Sequence, residues 1–229
     1  METVDWEAFD GCSSLKNITI TDSVKIINGA AFYECASLES VIISDNMTSI
    51  SDYTFYNCTS LSNITIGNSV TDIGAGAFRG CVSLENVIIP DSVTTIGGGA
   101  FACCTNLSSV VIGDGVTSIG GNAFHDCTSL TSVTIGNSVT IIGQYAFKNC
   151  TSLTNIAIPK SVTKIRDGAF SNCNLLNSVV FENASGWWYS TSSTATSGTA
   201  IASTIIANPS SAAKHLTYYY DDLYWNRTE

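Results

Sequence analysis

The side chains best suited to chemistry in this chain are nine cysteines, eight of which recur every 23 residues. Thiols can pair as disulfides, hold zinc or act as nucleophiles. The eight periodic thiols are Cys12, Cys35, Cys58, Cys81, Cys104, Cys127, Cys150 and Cys173. The ninth, Cys103, precedes Cys104 directly, and the nearest histidine, His125, falls in the next repeat. This spacing lacks the CxxC pair typical of zinc sites, so no metal site is predicted.

Catalytic residue combinations are also missing from the sequence. Its two histidines, His125 and His215, lie far apart, and the chain has no GxSxG turn, P-loop or HExxH motif. The paired carboxylates Asp221 and Asp222 lie in an aromatic tail, where nothing predicts that their pKa values are driven apart. The sequence therefore predicts no enzyme, no catalytic residues and no cofactor.

The cysteine period belongs to a repeat that organises most of the chain. Phenylalanine precedes each periodic cysteine by three residues, and leucine follows each by three. These columns are Phe9, Phe32, Phe55, Phe78, Phe101, Phe124, Phe147 and Phe170, and Leu15, Leu38, Leu61, Leu84, Leu107, Leu130, Leu153 and Leu176. Eight copies align without an insertion or deletion, and periods of 20–29 residues are typical of solenoids.

One copy of the repeat predicts one coil. Residues 61–66 alternate apolar and polar side chains and predict a short strand, followed by a turn at Gly67 and Asn68. Val70 and Ile73 are predicted to cover a second side of the coil, and residues 74–81 are predicted to form a short helix or 3₁₀ turn. Because one coil cannot bury its own apolar face, stacked coils should form a parallel sheet along the molecule, with strands about 4.8 Å apart.

The unit SLENVIIPDSVTTIGGGAFACC, residues 83–104, resembles the leucine-rich repeat of the BspA-like (Treponema-type) family. The match covers roughly residues 6–181. It implies a right-handed solenoid, often on bacterial or protist surface proteins that act in adhesion or host-protein binding, without catalytic residues. The predicted fold class is therefore an α/β repeat solenoid: a right-handed leucine-rich-repeat-like superhelix of eight 23-residue coils, with a parallel sheet along one face and a C-terminal cap.

The eight periodic cysteines are therefore predicted to form one buried column. A disulfide between neighbouring coils needs Cβ atoms about 3.8 Å apart, which a coil spacing of about 4.8 Å disfavours. Free cysteine is among the most buried residue types. We expect eight free, buried, unreactive thiols and one reactive thiol, Cys103, pointing outward.

The outward positions of the main strands form two columns without a charge. The first is Asn17, Ser40, Asn63, Asn86, Ser109, Ser132, Asn155 and Ser178, and the second is Thr19, Ile42, Thr65, Ile88, Val111, Thr134, Ala157 and Val180. Asn and Ser can simply form hydrogen-bonding ladders, and β-branched residues suit strands. As a whole, this face is predicted to bind a protein, because solenoids commonly bind through their sheet and exposed apolar stripes mark contacts. Acids on the following turns, such as Asp91, are interpreted as solubility and turn residues, too few per turn for calcium.

The repeat ends at Phe181, so the array is predicted over residues 1–181 and a cap over residues 182–229. Asn208 and Pro209 predict a helix start and residues 210–216 a short helix, while residues 218–225 suit either more helix or a closing strand. The tail aromatics are predicted to cover the last coil. The alternative is a glycan platform formed by Trp187, Trp188 and Trp225.

Composition excludes several classes of protein. The formal charge of −10, with nine Lys and Arg, argues against nucleic-acid binding and against attachment to anionic membranes. No apolar run approaches the roughly 18 residues of a membrane span. The first residues lack a basic segment followed by an apolar one, so they predict no secretory signal. An extracellular or cell-surface location follows from the family resemblance alone.

Three functions remain open at this point. The leading hypothesis is a surface or secreted module that binds a host or matrix protein through the sheet face. The second is a structural spacer or self-associating scaffold, favoured by regular, nearly identical coils. The third is glycan binding by the tail aromatics. The sequence does not predict an oligomeric state.

Overall fold

Each 23-residue repeat forms one coil of a parallel-sheet solenoid with about eight turns in the computed structural model, which describes residues 2–219 and 223–228. The strands of the coils are β1 (Thr3–Val4), β2 (Asn17–Thr19), β3 (Ile26–Ile27), β4 (Ser40–Ile42), β5 (Ser49–Ile50), β6 (Asn63–Thr65), β7 (Asp72–Ile73), β8 (Asn86–Ile89), β9 (Thr95–Ile96), β10 (Ser109–Ile112), β11 (Ser118–Ile119), β12 (Ser132–Thr134), β13 (Ile141–Ile142), β14 (Asn155–Ile158), β15 (Lys164–Ile165) and β16 (Ser178–Phe181). The C-terminal elements are β17 (Trp187–Ser190), β18 (Thr199–Ala200), α1 (Ser203–Ile206), α2 (Pro209–Lys214), a π-helical turn (His215–Tyr219) and β19 (Tyr224–Arg227). The predicted repeat solenoid is confirmed, with little helix.

The periodic apolar residues form continuous columns in the core. From Phe32 to Phe170 the phenylalanines are fully buried, and consecutive rings of the column stack with centroids 5.0 to 5.5 Å apart. The leucine column is buried from Leu38 onward. Each coil therefore covers the apolar flank of the next, which is the condition for a stable array.

The strands build two kinds of sheet. Strands β2, β4 and β6 form one sheet, β8, β10 and β12 a second, and β14 and β16 a third, all in parallel register. The two-residue strands from β5 to β15 instead form one continuous parallel run on the second side of the coils. The outward strands therefore form three parallel sheets in succession, and the continuous parallel sheet lies on the second side of the coils.

Both breaks in the outward sheet occur at a proline. The later strand at the first break is followed by Pro90, and the later strand at the second break is followed by Pro159. At this repeat position the amide of Glu182 donates to the Ile158 carbonyl of the preceding coil at 3.0 Å. Proline has no amide hydrogen, so neither Pro90 nor Pro159 can donate the equivalent bond, which gives a physical reason for the loss of regular pairing at these two places.

The segment that carries Ala77, Phe78 and Cys81 inward is not the helix or 3₁₀ turn that the sequence predicts. Alternate amides bond within the coil and to the next coil: the Ala77 amide donates to the Gly74 carbonyl, and the Phe78 amide to the Ala100 carbonyl. Two residues per coil have positive φ, among them Gly76 and Gly80. The resulting turns let this third side stack through backbone hydrogen bonds as the strands do.

The C-terminal segment covers the last coil. Strand β19 pairs antiparallel with β15, β17 and β18 extend the sheet beyond it, and α2 packs against β16. Trp187 and Trp225 are buried against Phe181. These contacts fit the predicted cap, while the boundary at residue 181 remains a prediction.

The helix start predicted in this segment is confirmed. The Asn208 side chain accepts a hydrogen bond from the Ser211 amide, and Pro209 is the first residue of α2. Of the alternatives for residues 218–225, both occur in part, because the π-helical turn reaches Tyr219 and β19 begins at Tyr224. Residues 220–222 lie outside the described residues.

The first coil is less covered than the others. Phe9 and Leu15 are only partly buried, and Trp6 is 68% exposed. In the part of the chain that the structure describes, no helix has the length and apolar character needed to cross a bilayer.

Candidate binding surface

The second outward column is exposed in every coil. Thr19, Ile42 and Thr65 lie side by side in one sheet, Ile88, Val111 and Thr134 in the next, and Ala157 beside Val180 in the third. Alternation along each strand fixes this arrangement, since the residues on either side, such as Val87 and Ile89, point into the core. The face therefore presents a row of small and β-branched side chains at coil spacing.

The first outward column is polar and partly bonded across coils. Ser40 Oγ donates to Asn17 Oδ1 at 2.9 Å, and Ser109 Oγ donates to Asn86 Oδ1. Ser40, Ser109 and Ser178 are half-buried, and the other five members are exposed: Asn17, Asn63, Asn86, Ser132 and Asn155. These bonds hold polar groups in place beside the second column.

Four large apolar side chains are exposed on this face. Ile88 is 72% exposed and stands beside Val111 on a paired strand, with Ile42 and Val180 exposed further along the molecule. Burying such side chains against a partner releases free energy in proportion to the apolar area removed from water, about 25 cal/mol per Å². The centre of the face is thus easy to desolvate, because neither column carries a charge.

Carboxylates line the turns at the ends of these strands. Asp22, Asp45, Asp91 and Asp114, here called the acidic rim, occupy one repeat position and are exposed. The Asn68 amide donates to Asp45 Oδ1 at 2.6 Å, and the Asp114 amide donates to Asp91 Oδ1 at 2.8 Å. The predicted role of such acids as turn residues agrees with these bonds. The turns bring these four carboxylates together beside the apolar face. This clustering was not predicted from the sequence, although the 23-residue spacing of the four residues indicated it.

The periodic cysteines make a buried ladder of S–H donors. In seven coils the thiol donates to the phenylalanine carbonyl of the preceding coil, as from Cys58 to Phe32 at 3.1 Å. The same carbonyl accepts the amide of its own coil's cysteine, Cys35 in this case. All nine thiols are free. From Cys35 onward the column therefore ties neighbouring coils together through thiols that are buried.

Burial controls the acidity of these thiols. It raises the pKa of Cys58 to about 12 and that of Cys35 to about 11, and it raises the pKa values of Cys81, Cys104 and Cys127 well above the ordinary value. For Cys150, a hydrogen bond with the Cys173 thiol raises the pKa first, and burial adds to it. Thiolates are the reactive form, so these residues are chemically quiet at neutral pH.

Two cysteines, Cys12 and Cys103, are not fully buried. Cys12 is exposed in the first coil, so the expectation of eight buried thiols is wrong for it, because only seven have a preceding coil to cover them. Cys103 is half-buried with positive φ, and its Sγ lies 4.0 Å from Asp126 Oδ2. Its reactivity remains a prediction.

The two histidines have separate surroundings. His125 Nδ1 lies 3.0 Å from Asp126 Oδ2, and His215 Nδ1 lies 2.8 Å from the Ser211 carbonyl oxygen. Within residues 2–219 and 223–228, no three His, Cys, Asp or Glu side chains are grouped to hold a metal ion. The described residues therefore offer no candidate set of metal ligands.

The alternative interpretation of the tail as a glycan platform is wrong for two of its three rings. Trp187 and Trp225 are 2% and 1% exposed because they fill the space under the last coil, and the Trp187 indole N–H donates to the Asn183 carbonyl at 3.0 Å. Trp188 is half-buried. Rings packed in the core cannot offer a face to a sugar.

Aromatic side chains on the third side of the early coils were not singled out from the sequence. Tyr33 and Tyr56 stack with centroids 4.6 Å apart, and the Arg79 guanidinium lies 6.0 Å from the Tyr56 ring centroid. Their 23-residue spacing was the signal available. Because the two rings face each other, the stack mainly fastens neighbouring coils.

Comparisons with known proteins agree with this architecture. A family model described as the BspA type leucine-rich repeat region matches residues 1–106 and 94–221, with six copies. No curated protein matches the chain.

Three solved structures are similar over most of the chain. A leucine-rich repeat protein of T. pallidum is 30% identical with a TM-score of 0.68, covering 71% of this chain and 78% of that one. One from Eubacterium ventriosum is 32% identical with a TM-score of 0.65, covering 69% of this chain and 42% of that one. One from Bacteroides ovatus is 26% identical with a TM-score of 0.57, covering 80% and 59%. The last two relatives thus extend well beyond the matched part.

Proposed function

This chain belongs to the BspA-type leucine-rich repeat family, and from that premise we propose that it is a non-enzymatic module that binds a protein through the exposed face of its outward strands. Its ligand is proposed to be a host or matrix protein. The same proposal places the chain outside the cell or on the cell surface, the location that the family resemblance implies.

The observation that carries the proposal is the exposed, uncharged second column. Ile42, Ile88, Val111 and Val180 are large apolar side chains that a soluble surface gains nothing by exposing. They lie on paired strands whose backbone is fixed by the coils beneath. A rigid face loses little conformational entropy on binding, which leaves more of the contact free energy available for affinity.

Replacing Ile88 by asparagine is expected to weaken capture of a matrix protein by about ten-fold. The substitution removes an exposed apolar contact at the centre of the face without adding charge, and a ten-fold loss corresponds to about 1.4 kcal/mol. Biolayer interferometry against a panel of purified extracellular-matrix proteins measures the change.

The matched control is Ile26→Asn. Ile26 is 52% exposed on β3, on the second side of the coils, so this variant makes the same chemical change off the proposed face. Equal affinity of the two variants for a captured protein would argue against the sheet face. Capture of no panel protein, with a self-associated chain by light scattering, would favour the scaffold instead.

A further inference from the structure

We propose that the protein bound by the sheet face presents a basic segment, whose lysine or arginine side chains lie along the acidic rim while its aliphatic side chains cover the apolar column. This inference rests on the proposed function and specifies the chemistry of the partner. It follows from the charges beside the face, from the surrounding sequence and from a groove at the edge of the face.

The rim carboxylates carry uncompensated charge. Within residues 2–219 and 223–228, no Lys or Arg ion pair involves Asp22, Asp45, Asp91 or Asp114, and the ion pairs of the early coils are Lys16 with Glu39 and Lys25 with Glu2. The hydrogen bonds that the carboxylates of Asp45, Asp91 and Asp114 accept come from neutral amides and not from cations. Like charges at successive coils repel one another, and a cationic partner relieves that repulsion.

The charge imbalance extends over the middle of the array. Residues 26–147 contain nine acidic residues and one Lys or Arg, Arg79. Arg79 lies over Tyr56 on the third side of the coil, away from the strands of the face. A basic partner is therefore attracted to these coils as a whole, and an acidic one is repelled.

An open groove joins the rim to the apolar column in the first three coils. Its volume is about 550 Å³, and it is lined by Ile42, Ile43 and Ile66 together with Asp22 and Asp45. Lysine and arginine have aliphatic stems that pack on apolar surface while their charged heads stay near water. The groove offers both surfaces, with isoleucines for the stem and carboxylates for the head.

The test uses a fluorescein-labelled ten-residue peptide of alternating arginine and valine, with a glutamate–valine peptide of the same length for comparison. Fluorescence anisotropy at 50 mM NaCl should show binding of the arginine peptide only, weakening as NaCl rises to 300 mM because exposed charges are screened. The double variant Asp45→Asn, Asp91→Asn should bind the arginine peptide about five-fold more weakly. Asparagine already occupies this repeat position at Asn68 and Asn137, so the variant is expected to fold.

The matched control is Asp52→Asn, Asp72→Asn. Both residues are exposed, and Asp52 Oδ1 accepts the Ala75 amide as Asp45 accepts that of Asn68, but neither lies on the rim. Equal weakening by the two double variants, binding of the glutamate peptide, or no binding of the arginine peptide would overturn the basic-segment proposal. The proposed function would survive those results if Ile88→Asn still weakened capture of a matrix protein, and it would fail separately if it did not.

Discussion

Replacing Phe101 by alanine is expected to lower the free energy of unfolding by about 4 kcal/mol, the range found for buried phenylalanine. Phe101 is fully buried, and its ring centroid lies 5.2 Å from that of Phe78 and 5.5 Å from that of Phe124. The truncation removes stacking on both sides and leaves a cavity at two coil interfaces. In a solenoid, stability is a sum over such neighbour interfaces. Urea denaturation followed by circular dichroism measures the loss.

Phe9→Ala is the matched control for that experiment. Phe9 is only partly buried and stacks on one ring of the column, that of Phe32, at 5.0 Å. Its truncation is expected to cost about half as much or less, because the cost depends on burial and on the cavity left. Equal losses for Phe9→Ala and Phe101→Ala would show that the column does not stabilise the array coil by coil.

Raising the pH from 8.5 to 10 is expected to destabilise the chain by several kcal/mol, a large part of the whole stability of many proteins. Six buried thiols have raised pKa values in the folded chain: Cys35, Cys58, Cys81, Cys104, Cys127 and Cys150. In the unfolded chain they titrate near the ordinary value of 9.0. Thermal unfolding at half-unit pH steps measures the effect.

The sign follows from proton binding. Above pH 9 the folded chain holds thiol protons that the unfolded chain has released, so stability falls with rising pH. The full contribution is present below pH 9 and is lost toward the folded pKa, which is about 11 for Cys35 and about 12 for Cys58. Each thiol contributes about 1.4 kcal/mol per pH unit in that window.

The double variant Cys81→Ala, Cys127→Ala tests the contribution of the thiols directly. It removes two of the six shifted groups and should reduce the slope of stability against pH by about a third. It is also expected to be less stable at pH 7, because it loses two S–H donors to the Phe55 and Phe101 carbonyls. A flat stability curve between pH 8.5 and 10.5 in the unmodified chain would contradict the buried thiol column.

The repeat made the core predictable from the sequence. A residue such as Phe78 occurs at the same offset in eight copies, so one assignment of inward and outward positions applies to all coils. Alternation over two or three residues then placed Ile88 outward and Val87 inward, as the structure has them. Periodicity predicts orientation well because stacking forces equivalent residues into equivalent environments.

Features that depend on differences between coils were not predictable in the same way. The breaks in the outward sheet occur at Pro90 and Pro159, which only two of the coils carry at that repeat position. The exposure of Cys12 depends on its place in the first coil, which no repeat position records. The tail lacks a period, so the burial of Trp187 and Trp225 could be established only from the packing of the whole segment.

The most direct test of the proposed binding face is hydroxyl-radical footprinting of the chain alone and in complex with a captured matrix protein. We expect the oxidation of Ile42, Ile88 and Val111 to fall in the complex, because their exposed side chains become buried. Oxidation of Trp6 and Tyr53, which are exposed outside the proposed face, should stay unchanged. Protection of Trp6 and Tyr53 with no change at the three sheet residues would contradict the proposed binding face.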